Sequence, residues 1–458
     1  MKHALAYAND HADTFVEQLE ALLRIPSVST DSAYADEVQQ AAHWLADHLE
    51  GLGVQHAEVC PTAGHPVVYA EHVTGDYKPT VLVYGHYDVQ PPDPEELWET
   101  PPFEPTRKNG TLYARGACDD KGQMFMHLKA LEAYLKAEET PPVNLLFVLE
   151  GEEETGSPHL VPFIKEHKAR LSQADVVVVS DTSMFAPGVP SITYGLRGLA
   201  YAEISLTGPQ RDLHSGLYGG AVENPANALS ALIGSLHDDD HRVTIPGFYD
   251  DVRPLTDEER ATYAALPFDQ AEWMDEIGLR EVCTENGYSV LEAISARPTL
   301  DVNGLWSGYT GEGAKTVLPS VAHAKLSMRL VPNQQPDAIY DKLEACLRAR
   351  VPETMRLEVK RLHGGKPVLV DRSHPAMQAA QEAMSTVYDT ETRLIRDGGS
   401  IPIVADFKEI LGLETVLMGF GLHSDAIHSP NEHFGLDRFH AGIQSIIRFH
   451  ARYAAQTA

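Results

Sequence analysis

Val81-Leu82-Val83-Tyr84-Gly85-His86-Tyr87-Asp88 is an apolar run that ends on a histidine and, two residues on, an aspartate. Such a run, apolar at consecutive positions without alternation, reads as a strand buried on both faces. Two further runs have the same form. Leu145-Leu146-Phe147-Val148-Leu149 leads into Glu150-Gly151-Glu152-Glu153-Glu154-Thr155-Gly156, and Val176-Val177-Val178-Val179 into Ser180-Asp181. Open α/β sheets take their ligands beyond the carboxyl ends of their strands, so each polar cluster falls where a site belongs. A fourth run, Glu414 to Gly419, precedes a loop with Asp425-Ala426-Ile427-His428-Ser429, which brings a further strand of this sheet from the far end of the chain.

Helical periodicity surrounds these strands. Phe15, Leu19, Leu22 and Leu23 share one face over Asp13 to Leu23, Ala42, Leu45 and Leu49 share another over Val38 to Leu52, and Met124 to Leu135 is a third helical segment. From about Gly198 to Gly364 the pattern changes to alternating strands, Tyr201 to Leu206 and Ala324 to Leu330, with helices between. Asn224-Pro225 supplies a cap and first-turn proline for one helix, and Asp337 to Arg348 spaces Ile339, Leu343 and Leu347 for another. The expected organisation is a catalytic α/β domain over 1–197 and 365–458, with a central mixed sheet flanked by helices. An inserted α+β domain spans 198–364.

At 458 residues, two domains are the natural expectation, and 43% hydrophobic against 22% charged residues describes a globular chain. Sixty-six acids against 36 Lys and Arg give a net charge of −30, which repels nucleic acid and anionic membrane surfaces alike. No span is apolar enough to cross a membrane and the amino terminus lacks a signal-like stretch, so neither membrane nor secretion is expected. Four widely separated cysteines without a CxxC pair suit a reducing compartment, and the cytoplasm is the expected location.

His86 and Asp88 lie two apart and point to the same side of an extended segment, where the acid can fix the ring's tautomer. In Asp119-Asp120-Lys121-Gly122, which follows Arg115-Gly116-Ala117-Cys118, a carboxylate held by glycine-rich backbone can bridge two cations. Consecutive glutamates directly after a buried strand can divide labour, one ligating metal while its neighbour faces water. Any one of these clusters alone reads as a turn or a solvated acidic run. Together, imidazoles and carboxylates in this mixture suit zinc or manganese, with a spare glutamate as base.

In this order and spacing the clusters resemble the di-metal family of carnosinase-type dipeptidases, aminoacylases, desuccinylases and glutamate carboxypeptidases, and most resemble its cytosolic nonspecific dipeptidase and carnosinase branch. The matching segments are Gly85-His86-Tyr87-Asp88-Val89-Gln90-Pro91, Asp119-Asp120-Lys121-Gly122, Asp212-Leu213-His214-Ser215-Gly216, Ser327-Met328-Arg329-Leu330-Val331-Pro332 and Gly398-Gly399-Ser400-Ile401-Pro402. The resemblance implies two divalent ions per subunit, zinc ahead of manganese or cobalt. His86, Asp119 and Asp181 would hold one, and Asp119, Glu154 and His428 the other. It implies Glu153 as general base toward a water held between the ions, Asp88 as the acid orienting His86, and a cis peptide after Asp119.

From the inserted domain, expected to be ferredoxin-like and to serve as lid and dimer contact, the resemblance implies His214 stabilising the oxyanion in the opposite subunit of a homodimer. Arg329, Ser400, Thr316 and Gly399 would hold the free carboxylate of a small peptide substrate. The implied reaction is metal-dependent hydrolysis of the amide bond of dipeptides or short peptides. An N-acyl amino acid deacylase is the alternative within enzymes, and a catalytically inactive peptide-binding relative the alternative outside them. Cys118 invites a nucleophile reading, which the lack of a nearby histidine partner in the sequence argues against.

Overall fold

The computed structural model describes residues 1–457 and divides into two compact units. The first comprises 1–194, 370–395 and 403–457; the second comprises Gly195–Leu369 and Arg396–Pro402.

The centre of the first unit is a row of four parallel strands in the order Asn144–Glu150, Thr80–His86, Val176–Val179, Thr415–Leu417. Every residue in the four is buried, the physical reason their sequences run apolar without alternation. The row continues with antiparallel strands on both sides: Val67–His72 and His56–Cys60 beyond Asn144–Glu150, and Ser191–Leu196 beyond Thr415–Leu417. Thr415–Leu417, the strand of this sheet that comes last in the sequence, thus lies inside it and not at its edge.

Helix Lys121–Lys136 packs against Thr80–His86 and is in turn covered by Lys2–Asp10, Ala12–Leu23 and Leu436–Thr457. This double cover buries Lys129, whose ammonium donates to Gln18 Oε1 at 2.6 Å and lies 4.4 Å from the centre of the Phe125 ring. Phe15, Leu19, Leu22 and Leu23, the expected face of the second helix, are all buried. A small sheet of Thr106–Lys108, Thr111–Tyr113 and His433–Gly435 joins the stretch before Asp119 to the stretch after His428.

In the second unit, Gly198–Thr207, helix Pro225–Gly234, Thr299–Ser307, Val321–Leu330, helix Pro336–Arg350 and Arg356–Gly365 follow in a strand-helix-strand-strand-helix-strand order. The strands form one antiparallel sheet, ordered Thr299–Ser307, Val321–Leu330, Gly198–Thr207, Arg356–Gly365, which is the ferredoxin-like arrangement. Gly198–Thr207 and Val321–Leu330 alternate strictly between buried and half-buried residues, as a sheet with one covered face requires. Asn224 caps its helix by accepting from the Ala226 N–H at 2.8 Å. That helix buries Ala228, Leu229 and Leu232 in the core of its own unit. Its apolar face is therefore occupied within that core. Helices Asp257–Ala264 and Val290–Ala296 each begin with a capping box, Thr256 with Glu259 and Ser289 with Glu292.

Candidate metal centre

His86 is the last residue of Thr80–His86, in register with Glu150, and Tyr84 is in register with Val179. The glutamates, Asp181 and His86 therefore leave the sheet at one edge. The loop after Thr415–Leu417 brings His428 to the same place. Asp119 arrives from the turn before helix Lys121–Lys136, where a Cβ on Gly122 would stand 1.9 Å from the Ala117 carbonyl oxygen. Only glycine allows that turn to close so tightly. The Asp119–Asp120 peptide is cis.

Two donor clusters result, His86 with Asp119 and Asp181, and Asp119 with Glu154 and His428. His86 Nε2 lies 3.1 Å from Asp119 Oδ1 and 3.9 Å from Asp181 Oδ2; His428 Nε2 lies 2.9 Å from Asp119 Oδ2 and 3.4 Å from Glu154 Oε2. Two ligands each about 2.0–2.2 Å from a tetrahedral ion stand roughly 3.3 Å apart, so these separations fit a shared cation in each cluster. Asp119, Asp181 and Glu154 pair with imidazoles, and among the described residues no Lys or Arg joins them. A partly buried set of acids without basic side chains is chemistry that suits divalent cations.

The electrostatics follow from this crowding. Burial alone would depress His86, but hydrogen bonds to Asp119 and Asp88 and the charge of Asp181 carry its pKa well above the usual imidazole value. His428 is pushed up to about 10 by Asp119 and Glu154. Burial works against Asp119 too, yet both imidazoles hold its carboxyl below the ordinary range. Asp181 is raised by burial and by Asp120, and Glu153 is raised to about 7 by burial, with Glu154, Asp88 and Asp119 adding to it against His86.

Asp88 is fully buried. His86 Nδ1 stands 3.1 Å from the Asp88 main-chain oxygen and 3.4 Å from its carboxylate. The carboxylate also accepts from the Ser29 hydroxyl at 2.6 Å and from the Glu153 and Glu154 N–H groups at 3.2 and 3.1 Å. One acid thus fixes both the imidazole and the turn bearing the two glutamates. Glu152, by contrast, faces away to His159 Nδ1 at 2.8 Å and the His65 N–H at 3.0 Å.

Sequence reasoning missed Gln90, which donates to Glu154 Oε2 at 2.8 Å, and Asp120, a buried acid accepting from the His86 N–H at 3.2 Å. Both lie inside quoted motifs, but a motif does not say which way a side chain turns. Asp425 is buried in a bidentate pair with Arg438 at 2.5 and 2.6 Å and accepts from Cys118 Sγ at 3.3 Å. Burial and the charges of Asp425 and Glu432 push the Cys118 thiol well above its usual pKa, opposite to what a nucleophile needs. All four cysteines are free, and Cys283 is the exposed one.

In the second unit the implied substrate residues fall into two groups. Arg329 Nη1 donates to Ser400 Oγ at 3.1 Å, Ser400 Oγ to the Arg197 carbonyl at 2.5 Å, and the Arg197 N–H to the Gly399 carbonyl at 3.0 Å. Arg197, absent from the sequence reading, has its pKa lowered to about 10 by burial and by the neighbouring Arg329 charge. His214 and Thr316 form the other group: His214 pairs with Val317 on a short ribbon, the Ser215 N–H donates to the Thr316 carbonyl at 3.1 Å, and both residues are exposed.

An α/β sheet with two donor clusters sharing one carboxylate beyond its strand ends defines a metal-binding hydrolase centre. Residues 82–452 match Peptidase family M20/M25/M40, and the chain belongs to this family of metal-dependent peptidases. It is 32% identical to the Cys-Gly metallodipeptidase DUG1 of Candida albicans, covering 94% of this chain and 93% of that one. To the human Beta-Ala-His dipeptidase it is 33% identical, covering 94% and 88%. Among solved structures, the metallo-carboxypeptidase Sso-CP2 of Sulfolobus solfataricus is 35% identical with a TM-score of 0.85, covering 96% of this chain and 99% of that one.

Proposed function

We propose that this chain is a two-metal dipeptidase that hydrolyses the amide bond of dipeptides or short peptides with a free carboxyl end. The observation carrying this reading is Asp119, whose two oxygens face different imidazoles, each within its own donor cluster. The relatives named above as Cys-Gly and Beta-Ala-His dipeptidases support the substrate class. His86, Asp119 and Asp181 would hold one ion and Asp119, Glu154 and His428 the other, with zinc, manganese and cobalt all suited to these donors. When bound, such ions polarise the scissile carbonyl and make water acidic enough to attack near neutral pH.

The protein's own groups do the rest. Glu153 accepts the attacking water's proton and returns it to the leaving amine. Asp88 holds the Glu153 and Glu154 amides, so base and ligand keep their relative position. Arg329 and Ser400, with Gly399 and Arg197 alongside, offer a guanidinium fork and polar backbone to the substrate carboxylate. His214, with Thr316 beside it, would steady a developing oxyanion from a partner subunit. That role needs a homodimer through the second unit. Edge strand Thr299–Ser307 supports one, since it exposes Val302, Leu305 and Trp306 beside an unpaired row of backbone groups.

Trimming of short peptides from the carboxyl end is a second reading, favoured by the likeness to Sso-CP2. Four free thiols support a reducing compartment, the cytoplasm. Among the described residues no helix is long and apolar enough to cross a membrane. The deciding experiment refills metal-stripped protein with each ion and compares dipeptides with N-acetyl amino acids. Turnover of dipeptides that depends on added metal is expected; activity confined to acylated substrates would replace the dipeptidase with a deacylase.

A further inference from the structure

Glu432 lies four residues after His428 and has no role in the reaction described above. Its side chain is wholly buried, and both of its oxygens are used. Oε1 accepts from the Cys118 N–H at 3.0 Å and the Asp119 N–H at 3.1 Å; Oε2 accepts from Arg115 Nη1 at 2.7 Å and the Gly116 N–H at 2.9 Å. The Ala114 N–H donates to the Glu432 main-chain oxygen at 3.1 Å, extending the pairing of His433–Gly435 with Thr111–Tyr113.

A buried carboxylate is costly unless it is fully hydrogen-bonded, and here every donor comes from a single five-residue turn. That turn ends on Asp119. The segment supplying the acid is itself sharply bent, with Ala426, His428 and Asn431 all at positive φ, 55°, 57° and 64°. Non-glycine residues hold such angles when their surroundings enforce them. Glu432 thus ties the turn that carries Asp119, common to both clusters, to the loop that carries His428.

We infer that Glu432 is a positioning residue that sets the distance between Asp119 and His428, and so the affinity of the cluster Asp119, Glu154 and His428 for its cation. Groups that hold metal ligands in place typically change metal affinity about 10- to 100-fold when replaced. Gln at 432 preserves size but turns an NH2 toward backbone N–H donors, so one half of the grip is lost while the fold's packing is kept.

This inference rests on the two-metal reading, and the test separates the two. Metal-stripped wild-type protein and Glu432→Gln are titrated calorimetrically with Mn2+, alongside circular dichroism and the melting temperature of the stripped proteins. Wild type should take up two ions. Glu432→Gln should bind one of them at least about tenfold more weakly, with native circular dichroism, a lower stripped-protein melting point as buried Arg115 loses its partner charge, and loss of the spin-coupled two-manganese signal in electron paramagnetic resonance. Two ions bound by Glu432→Gln at wild-type affinity would overturn the role of Glu432 alone. Failure of wild type to bind two would instead remove the reading beneath it. Should Glu432→Gln fold too poorly to titrate, Glu432→Asp keeps the charge and shortens the reach. The same loss of affinity then supports the inference, and wild-type affinity overturns it.

Discussion

His86 ends a strand buried on both faces and has no exposed surface, whereas His214 stands exposed on a two-residue strand paired with Val317. Asp119, Asp181 and Glu154 are likewise held within one unit by neighbours that folding itself supplies. His214 and Thr316 lack such confinement, and Arg329 and Ser400 hold each other in the place we propose for a substrate carboxylate. The contrast separates two kinds of site residue. Metal donors are organised by the fold of their own unit. The second-unit residues are, in the proposed function, those that substrate or a second subunit would organise.

Four changes can break or sharpen this contrast, in order of size. Glu153→Gln should lower kcat roughly a thousandfold or more while metal content stays at two, since proton transfer is lost and the donors are not. Substantial remaining hydrolysis, read by amine release, would remove Glu153 from that role. His214→Ala should cost about 10²- to 10³-fold in kcat. Mixed with Glu153→Gln, it should regain activity, because one hybrid site would carry both intact residues. Equal activity of a monomer in sedimentation would deny the borrowed histidine.

Arg329→Met should raise KM for dipeptides about 10- to 100-fold with a smaller change in kcat, the loss expected for a charge-assisted contact to a carboxylate. An unaffected KM would return Arg329 to an ordinary strand residue. The smallest effect tests the confinement of the first unit by acid. His450 is wholly buried with neither ring nitrogen paired, and burial lowers its pKa to about 3. Below about pH 6.5 the unfolded chain takes up a proton that the folded one refuses, so stability falls as pH drops from there toward 3. At pH 5 this amounts to about 2 kcal/mol. His450→Phe should therefore lose less melting temperature between pH 7 and pH 5 than wild type does.

The four parallel strands were legible because burial on both faces leaves an unbroken apolar run, and His86, Glu154 and Asp181 because each ends or closely follows such a run; Asp119 and His428 sit on loops and were read from their motifs instead. Strand His56–Cys60 lies at the sheet edge and is only half-buried, so its sequence carries no such run. The helices between Leu236 and Thr299 are short, and Gln270–Glu276 buries no residue, which removes the periodicity that marks longer helices. Asp120 and Gln90 sat inside recognised motifs. Their contacts depend on backbone direction across strands distant in sequence, a property no local spacing records. Asp425 with Arg438 joins residues 13 apart on a loop and a helix, a pairing visible only once both are folded.

The distribution of thiols has a practical consequence. Cys60, Cys118 and Cys346 are buried and Cys283 is exposed, on the second unit. A maleimide dye should label the native protein at that single position, giving a fluorescent reporter of how the second unit responds when peptide is added, without engineering any residue of the metal centre.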